Sequence, residues 1–476
     1  MTRETWATRV GFILAAVGSA VGLGNIWRFP WMTAENGGSA FLIVYLGIVL
    51  LVGVPGLLGE FVIGRRAKRN PAGALKKLSG SRAWELVGGF SVVTAVVLLS
   101  FYSVVGGWIL RYFLASPTGA YFGSPGGYYD SIAFGTTGSV GFGLVFLVLT
   151  GIIVFAGVRR GIEVATKVMM PAIVALLLAL AGWAFFQPNA MAGYDFYLGA
   201  DWGYLQANFF DILPAAAGQA LFTLSIGAGT MITYASYLGE DRSLPFDGSA
   251  IAVLNTFVGV LAGLVVFPLL FSFAPDAAGT SGPGALFVGI AGAFANLPSV
   301  GGISTGILIA TLFFGVVTLA ALSSSISMLE IPVSFLVDEF GIERKYATGG
   351  MLALVSLTMT VNALRPPVFE FIAGTLVDLM LTAGLLAFLL FVGWVLGRDA
   401  IDEFAKGASD FGRSLASPWL LAVGVLLPLF LLFTLLTGIF GALGMAGAIE
   451  TWMTVVLSVA LGLVAFAGLR GPTSVL

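Results

Sequence analysis

The first apolar segment interrupts its own helix. Residues 10–31 read VGFILAAVGSAVGLGNIWRFPW, apolar enough to cross a bilayer, yet Gly18, Gly22 and Gly24 fall mid-span, followed by Asn25, Arg28 and Pro30. A glycine inside a helix costs about 1 kcal/mol relative to alanine, and a proline about 3 kcal/mol. In lipid, an unwound stretch is tolerated only where its freed backbone groups are buried in protein or line a cavity. Such a break leaves bare carbonyls and amides at mid-depth, beside an Asn. That arrangement suits a caged cation next to a small zwitterion.

The rest of the chain is a membrane protein by composition. It has 476 residues, 58% hydrophobic and 10% charged, with a mean hydropathy of +1.01. Twelve spans are expected, near 10–33, 40–64, 86–113, 138–157, 162–185, 212–238, 249–273, 304–337, 346–363, 370–396, 418–440 and 451–469. The fold class is therefore an all-α polytopic membrane protein. Cysteine and histidine are both absent, which removes thiol chemistry and the usual transition-metal ligands. A net charge of −2 gives no sign of nucleic-acid binding. The N-terminus MTRETWATR lacks the pattern of a cleaved signal peptide. Most of the 65 glycines are read as helix-packing residues.

Basic residues crowd one set of loops: Arg65, Arg66, Lys68, Arg69, Lys76, Lys77 and Arg82, then Arg159 and Arg160, Arg242, Arg344 and Lys345, and Arg398, Lys406 and Arg413. By the positive-inside bias both termini are cytoplasmic, in a plasma (inner) membrane. The external loops 114–137, 186–211 and 274–303 are rich in Gly, Pro and aromatics. Within the last, GPGALFVGIAGAFANLP reads either as short helices over a cavity mouth or as plain loop packing.

Span six, LPAAAGQALFTLSIGAGTMITYASY, repeats the oddity of span one. Gly227-Ala228-Gly229 answers Gly22-Leu23-Gly24, with Gln219, Thr223 and Ser225 just before. Five spans per half would place the two halves in opposite topology. Interrupted spans in corresponding positions of two halves point to a transporter's binding site. The expected division is 1–186 (spans one to five), 187–397 (six to ten) and 398–476 (eleven and twelve).

Polar groups gather at one depth. Ser323, Ser324 and Ser325 lie consecutively in LAALSSSISMLE of span eight. Membrane serines commonly bond the backbone one turn back. Alternatively they join the carbonyls of a broken helix in holding a small hard cation, monovalent because no carboxylates cluster there. Asn25, Thr223 and Asn255 add three side-chain oxygens, although Asn255 alone reads equally as glue between helices. Tyr102 offers either core packing or a hydroxyl to a substrate carboxylate. Among intramembrane charges, Glu60 is expected to be held by free amides of an unwound neighbour. Arg28 and Glu370 are expected to pair across an external vestibule. Asp378, about 12 Å deeper along its helix, has no assigned partner.

With WATRVGFILAAVGSAVGLGNIWRFPW, AENGGSAFLIVYL, GQALFTLSIGAG, ITYASY and ALSSSISM quoted together, the chain resembles the neurotransmitter:sodium symporter family, especially its prokaryotic amino-acid transporters. The resemblance covers essentially the whole chain. It implies a 5+5 inverted repeat with broken helices 1 and 6, and two sodium ions bound with the substrate. One ion would meet the Ala20 carbonyl, Asn25, Thr223, Asn255 and the substrate carboxylate. The other would meet carbonyls of Gly18, Val21 and Ala320 and the hydroxyls of Ser323 and Ser324. The substrate carboxylate would meet Tyr102 and the amides of Leu23 and Gly24. Its ammonium would meet Ala20, Phe222, Thr223 and Ser225.

The same resemblance matches Arg28 and Glu370 to an external gate with Phe222 as lid, and Arg3, Trp6, Tyr237 and Asp338 to an internal gate. Gly22 stands where monoamine carriers of the family have an acid, which favours an amino-acid substrate. Leu98, Tyr102, Phe222, Ser225, Ala228, Ser324 and Met328 would surround its side chain, an apolar set expected to admit a bulky hydrophobic or aromatic residue. Gly259 replaces a family Ser or acid, which leaves chloride open; with Glu60 and Asp378 nearby, the reading leans towards chloride independence. The expected function is sodium-coupled amino-acid import by alternating access, with a non-transporting amino-acid sensor on the same fold as the alternative. An enzyme is not expected. The lipid bilayer and the small amino acid are the expected partners, and oligomeric state is not legible.

Overall fold

A computed structural model describes residues 6–274, 284–299 and 304–445. Span twelve of the sequence reading and the gate residue Arg3 lie outside the described residues. Among those described, the regular structure is helical. Among the described residues nine helices are long and apolar enough to cross a membrane, ten with one bent pair.

That bent pair is the first span. Helix α1 (Arg9–Ala20) and helix α2 (Gly24–Glu35) meet at an angle of 47°. The chain leaves α1 at Val21 with extended dihedrals, and the flanking glycines let the turn proceed with no side chain in its way. Helices α3 (Ser39–Ala67), α4 (Arg82–Thr118), α5 (Thr137–Phe155) and α6 (Val158–Phe185) follow. Span six is divided into α7 (Trp202–Thr223) and α8 (Thr230–Ala235). Then come α9 (Leu244–Phe273), a short helix α10 (Ala285–Ala295), α11 (Thr305–Phe340), α12 (Arg344–Leu364), α13 (Pro366–Leu396) and α14 (Asp410–Ala442). Of the two readings of the 274–303 loop, a short helix is the one found.

The two longest helices, α4 and α11, form the most extensive pairing and flank the interrupted segments. Close approach is bought with glycine. A Cβ on Gly107 of α4 would lie 2.5 Å from the backbone nitrogen of Gly143 on α5, and one on Gly64 of α3 would lie 2.1 Å from the Ile232 carbonyl on α8. In lipid such contacts stand in for the solvent-driven packing of soluble cores.

The interruption of span six has backbone that only special residues adopt. Gly227 and Gly229 have φ of +94° and +73°, and Ser225 shares the left-handed region at +53°. At Gly227 a side chain is doubly excluded, since its Cβ would stand 2.1 Å from the Leu381 carbonyl of α13. The last turn of α3 is tied to the α13–α14 connection, where Arg65 pairs with Glu403 at 2.5 Å and Arg66 with Asp399 at 2.6 Å, while in the loop that follows Lys68 donates to the Leu238 carbonyl and Arg69 pairs with Glu339 of α11 at 3.6 Å.

Candidate substrate and ion site

The two interruptions face each other, and side chains join them directly. Gln219 Nε2 on α7 donates to the Gly24 carbonyl at 2.7 Å, and Ser225 Oγ donates to the Ser19 carbonyl at 2.9 Å. Tyr102 Oη on α4 accepts from the Leu23 amide at 3.1 Å, and Asn25 Oδ1 accepts from the Gly22 amide at 3.2 Å. The amides that α1 and α2 leave free thus have partners at mid-depth.

On one side of this break lies the first expected ion set. Asn25 Nδ2 donates to the Asn255 carbonyl at 2.9 Å. One end of the Asn255 side-chain amide stands 2.9 Å from that same nitrogen and 3.2 Å from both the Thr223 and Ala20 carbonyls. As nitrogen, this amide end donates to both carbonyls; as oxygen, it accepts from Asn25 Nδ2. The four expected residues therefore converge, with the Ala20 and Thr223 carbonyls and the Asn255 amide facing one another, while Asn25 presents its nitrogen to Asn255 and its oxygen to the Gly22 amide.

On the other side lie the serines of α11. Ser323 Oγ donates to the Val21 carbonyl at 3.0 Å and to Ala320 at 2.9 Å. Ser324 Oγ donates to the Ser19 carbonyl at 2.9 Å and to Val21 at 3.3 Å. Ser323 thus bonds one turn back, as membrane serines commonly do, and also across to the end of α1. Ser325 points elsewhere, to Thr150 at 2.6 Å. The carbonyl facing Ser324 is that of Ser19; Gly18 turns its α-carbon to the Thr166 methyl, 3.0 Å from a built Cβ.

Gly22 is pressed between α4 and α11. A Cβ there would lie 2.0 Å from Ser324 Oγ and 2.7 Å from Tyr102 Oη, and one on Gly24 would lie 2.8 Å from the Phe222 ring. Leu98, Phe222, Ala228 and Met328 are buried within the same apolar core. The region of Gly259 is polar: Tyr45 Oη and Thr223 Oγ1 are 3.2 Å apart, and a Cβ on Gly259 would meet Asn25 Nδ2 at 3.5 Å. Gln219 Oε1 is buried there without a hydrogen-bond partner.

The acids of α3 and α13 find different fates. Glu60 accepts from the amides of Gly227 at 2.6 Å, Met231 at 3.1 Å and Ile232 at 3.3 Å. It is held, as expected, by the free amides at the start of α8, where the helix dipole also favours a carboxylate. The expected external pair is corrected. Arg28 Nη2 binds Asp378 Oδ2 at 2.6 Å, and its guanidinium lies 4.9 Å over the Phe222 ring. Glu370 instead lines a cavity of about 100 Å³ above Phe222, together with Trp27, Arg28, Trp31 and Phe101. The reason is depth. A Cβ on Gly218, one turn before Phe222, would lie 2.9 Å from Asp378 Oδ2, which places Asp378 at the level of the aromatic lid. A wide π turn at Ile372–Leu376 separates it from Glu370 along α13.

At the other end, Trp6 Nε1 donates to the Tyr234 carbonyl at 3.0 Å and its ring packs on Tyr237. Tyr237 Oη donates to Glu330 at 2.7 Å, and Arg344 Nη1 pairs with the same carboxylate at 2.7 Å. Asp338 accepts from the Asn70 backbone amide at 3.0 Å. The sequence reading missed Glu330, although a lone acid in the apolar run SMLEIP was the available signal.

A helical membrane bundle with two facing interruptions, apolar aromatic walls and oxygen donors at one depth is the architecture of an ion-coupled transporter. Comparison with known proteins gives the class a family. The sodium:neurotransmitter symporter family matches residues 3–122 and 130–440, and the chain belongs to it. The sodium-dependent transporter YhdH of Bacillus subtilis is 33% identical over 450 residues, covering 90% of this chain and 96% of its own. A sodium-dependent transporter of Methanocaldococcus jannaschii is also 33% identical, covering 90% and 89%. The bovine sodium-dependent dopamine transporter is 26% identical, covering 92% and 69%. Among solved structures, MhsT in complex with L-phenylalanine superposes with a TM-score of 0.82 at 35% identity, covering 92% of this chain and all of that one. The chain is thus a sodium-dependent, multi-pass membrane transporter, and these relatives are transporters rather than enzymes.

The Arg28–Asp378 pair predicts unequal effects of the two outer acids. Asp378→Asn should lower transport at least tenfold in folded protein, because it leaves a nearly buried guanidinium without its counter-charge. Glu370→Gln, on the cavity wall, should change transport less than threefold. Uptake by the two variants at matched protein amounts decides it; equal losses would return Glu370 to the gate.

Proposed function

We propose that this protein imports a neutral, bulky hydrophobic or aromatic amino acid together with sodium, by alternating access. The observation that carries the reading is the convergence at the first break. Ala20, Asn25, Thr223 and Asn255 meet on one side of Gly22–Gly24, and Ser323 with Ser324 on the other. In this reading two sodium ions bind there. The substrate carboxylate lies beside the Leu23 and Gly24 amides and Tyr102 and touches the ion near Asn255, so ion and substrate bind as one event. The ammonium meets carbonyls of Ala20, Phe222 and Thr223 and the Ser225 hydroxyl. Phe222, under Arg28 and Asp378, closes the outer side. Trp6, Tyr237 and Asp338, with Arg3, close the inner side. MhsT with L-phenylalanine bound supports an amino acid as the substrate class. The reading also takes both termini as cytoplasmic, with the chain divided at 1–186, 187–397 and 398–476 and transport independent of chloride.

Proteoliposomes separate this from the sensor alternative. An inward sodium gradient should drive accumulation of labelled phenylalanine or leucine, and its removal should abolish it. Sodium-dependent binding without uptake would make the protein a sensor. Ser324→Ala removes a hydroxyl from the second ion set, where a hydrogen bond to a charged group contributes about 1.5–3 kcal/mol. The expected result is an apparent sodium affinity at least tenfold weaker; an unchanged sodium dependence would take Ser324 out of the site.

Side-chain preference follows from the walls. A charged side chain among Leu98, Phe222, Ala228 and Met328 would lose its hydration without compensation. Each additional buried methylene contributes about 0.8 kcal/mol, so phenylalanine or leucine should compete for uptake better than glycine. Ala228→Phe should reverse that order towards smaller substrates. A lower inhibition constant for glycine than for leucine in the unmodified protein would sink the assignment.

A further inference from the structure

The N-terminal cap of α1 is completed by another helix. Thr8 is the N-cap, and its Oγ1 accepts from the Gly11 amide at 2.9 Å. In a self-contained capping box, the third helical residue is Glu or Gln and reaches back to the backbone N–H of the N-cap residue; at this helix start the N–H one residue earlier and the Thr8 hydroxyl are the groups bound instead. Here that third residue is Gly11, which has nothing to reach with. The missing carboxylate is supplied by Glu163, the first residue after the π turn Val158–Ile162 at the cytoplasmic end of α6. Glu163 Oε2 accepts from the Ala7 amide at 2.8 Å, and Oε1 accepts from Thr8 Oγ1 at 3.0 Å. Lys167 Nζ, one turn along α6, donates to Oε1 at 2.7 Å. The carboxylate occupies the space that the glycine leaves, since a Cβ on Gly11 would stand 2.1 Å from Oε1. The side chain is 1% exposed.

We propose that Glu163 is a positioning residue that latches the cytoplasmic end of α1 to α6, and that release of the inner side requires this borrowed cap to break. A cap within one helix travels with that helix. A cap supplied by a neighbour does not, so any outward swing of α1 from α6 removes two hydrogen bonds and a carboxylate from the positive end of α1 at once. The latch stands apart from Trp6, Tyr237 and Asp338, which tie the same end of the protein to α8, α11 and the loop after α3. It rests on the alternating-access reading.

The chain has no cysteine, so a single one reports cleanly. Thr166, buried on α6 with its methyl against Gly18 of α1, is covered as long as the two helices stay together. In purified full-length T166C, labelling by a water-soluble maleimide should be slowed by sodium. Added to T166C, E163A should label at least threefold faster in saturating sodium. G11A should do the same by pushing the carboxylate out of its space, and because alanine favours helix over glycine, its effect does not come from a weaker α1. Lys167→Ala, which leaves both bonds to α1, should label at the parental rate. Parental rates in E163A, or in G11A where E163A does not fold, would overturn the latch. A T166C parent indifferent to sodium would overturn the alternating-access reading itself.

Discussion

Backbone set free at mid-depth is the constraint on which the rest of this structure depends. Every N–H and C=O that leaves a helix inside the membrane needs a partner in the protein. Two helices are interrupted at the same level, and their freed groups are answered across helix boundaries. Tyr102 of α4 and Asn25 answer the amides of Leu23 and Gly22. Ser323, Ser324 and Ser225 answer the carbonyls of Val21 and Ser19. Glu60 of α3 answers three amides at the start of α8. The polar residues of an otherwise apolar chain are therefore where they are because the breaks require them. The groups that satisfy the breaks are also those on which the proposed substrate and ion reading rests.

Much of this was legible in the sequence because it is written in residue types that an apolar span otherwise avoids. Glycine pairs marked both breaks, and Asn25, Asn255 and the serine run marked the depth at which they meet. Glu60 was read correctly because an acid in a span must find donors, and an unwound neighbour is the obvious supply. The outer pair was misread for a reason that sequence spacing does not contain. Glu370 and Asp378 are both single acids on one helix. Which of them meets Arg28 depends on how far Arg28 is drawn inward over Phe222 and on the π turn lying between the two acids. Glu330 went unread because its partners, Tyr237 and Arg344, come from two other parts of the chain.

The two ends of the molecule are closed by different physics. At one end, one buried guanidinium bridges the Phe222 ring and one carboxylate, in the wall of a small cavity lined by tryptophan and phenylalanine. At the other end the contacts are many and spread over several helices. Trp6 packs on Tyr237, Glu330 gathers Tyr237 and Arg344, and Arg9 binds the buried Asp247 of α9 at 2.6 Å.

The first span shows a similar division along its own length. Val21 closes α1 with its carbonyl on Ser323, while twelve residues earlier Arg9 opens the same short helix. A helix of that length moves as a rigid body, so its two ends respond together. The Ser323 and Ser324 contacts hold its end at the break, and contacts to α6, α8 and α9 hold its N-terminal end. Because the break at Gly22 disconnects it from α2, displacement of α1 need not drag Arg28 or the outer lid with it. The glycines that bring α4 and α11 close to the break are thus the same residues that divide the first span into two separately held halves.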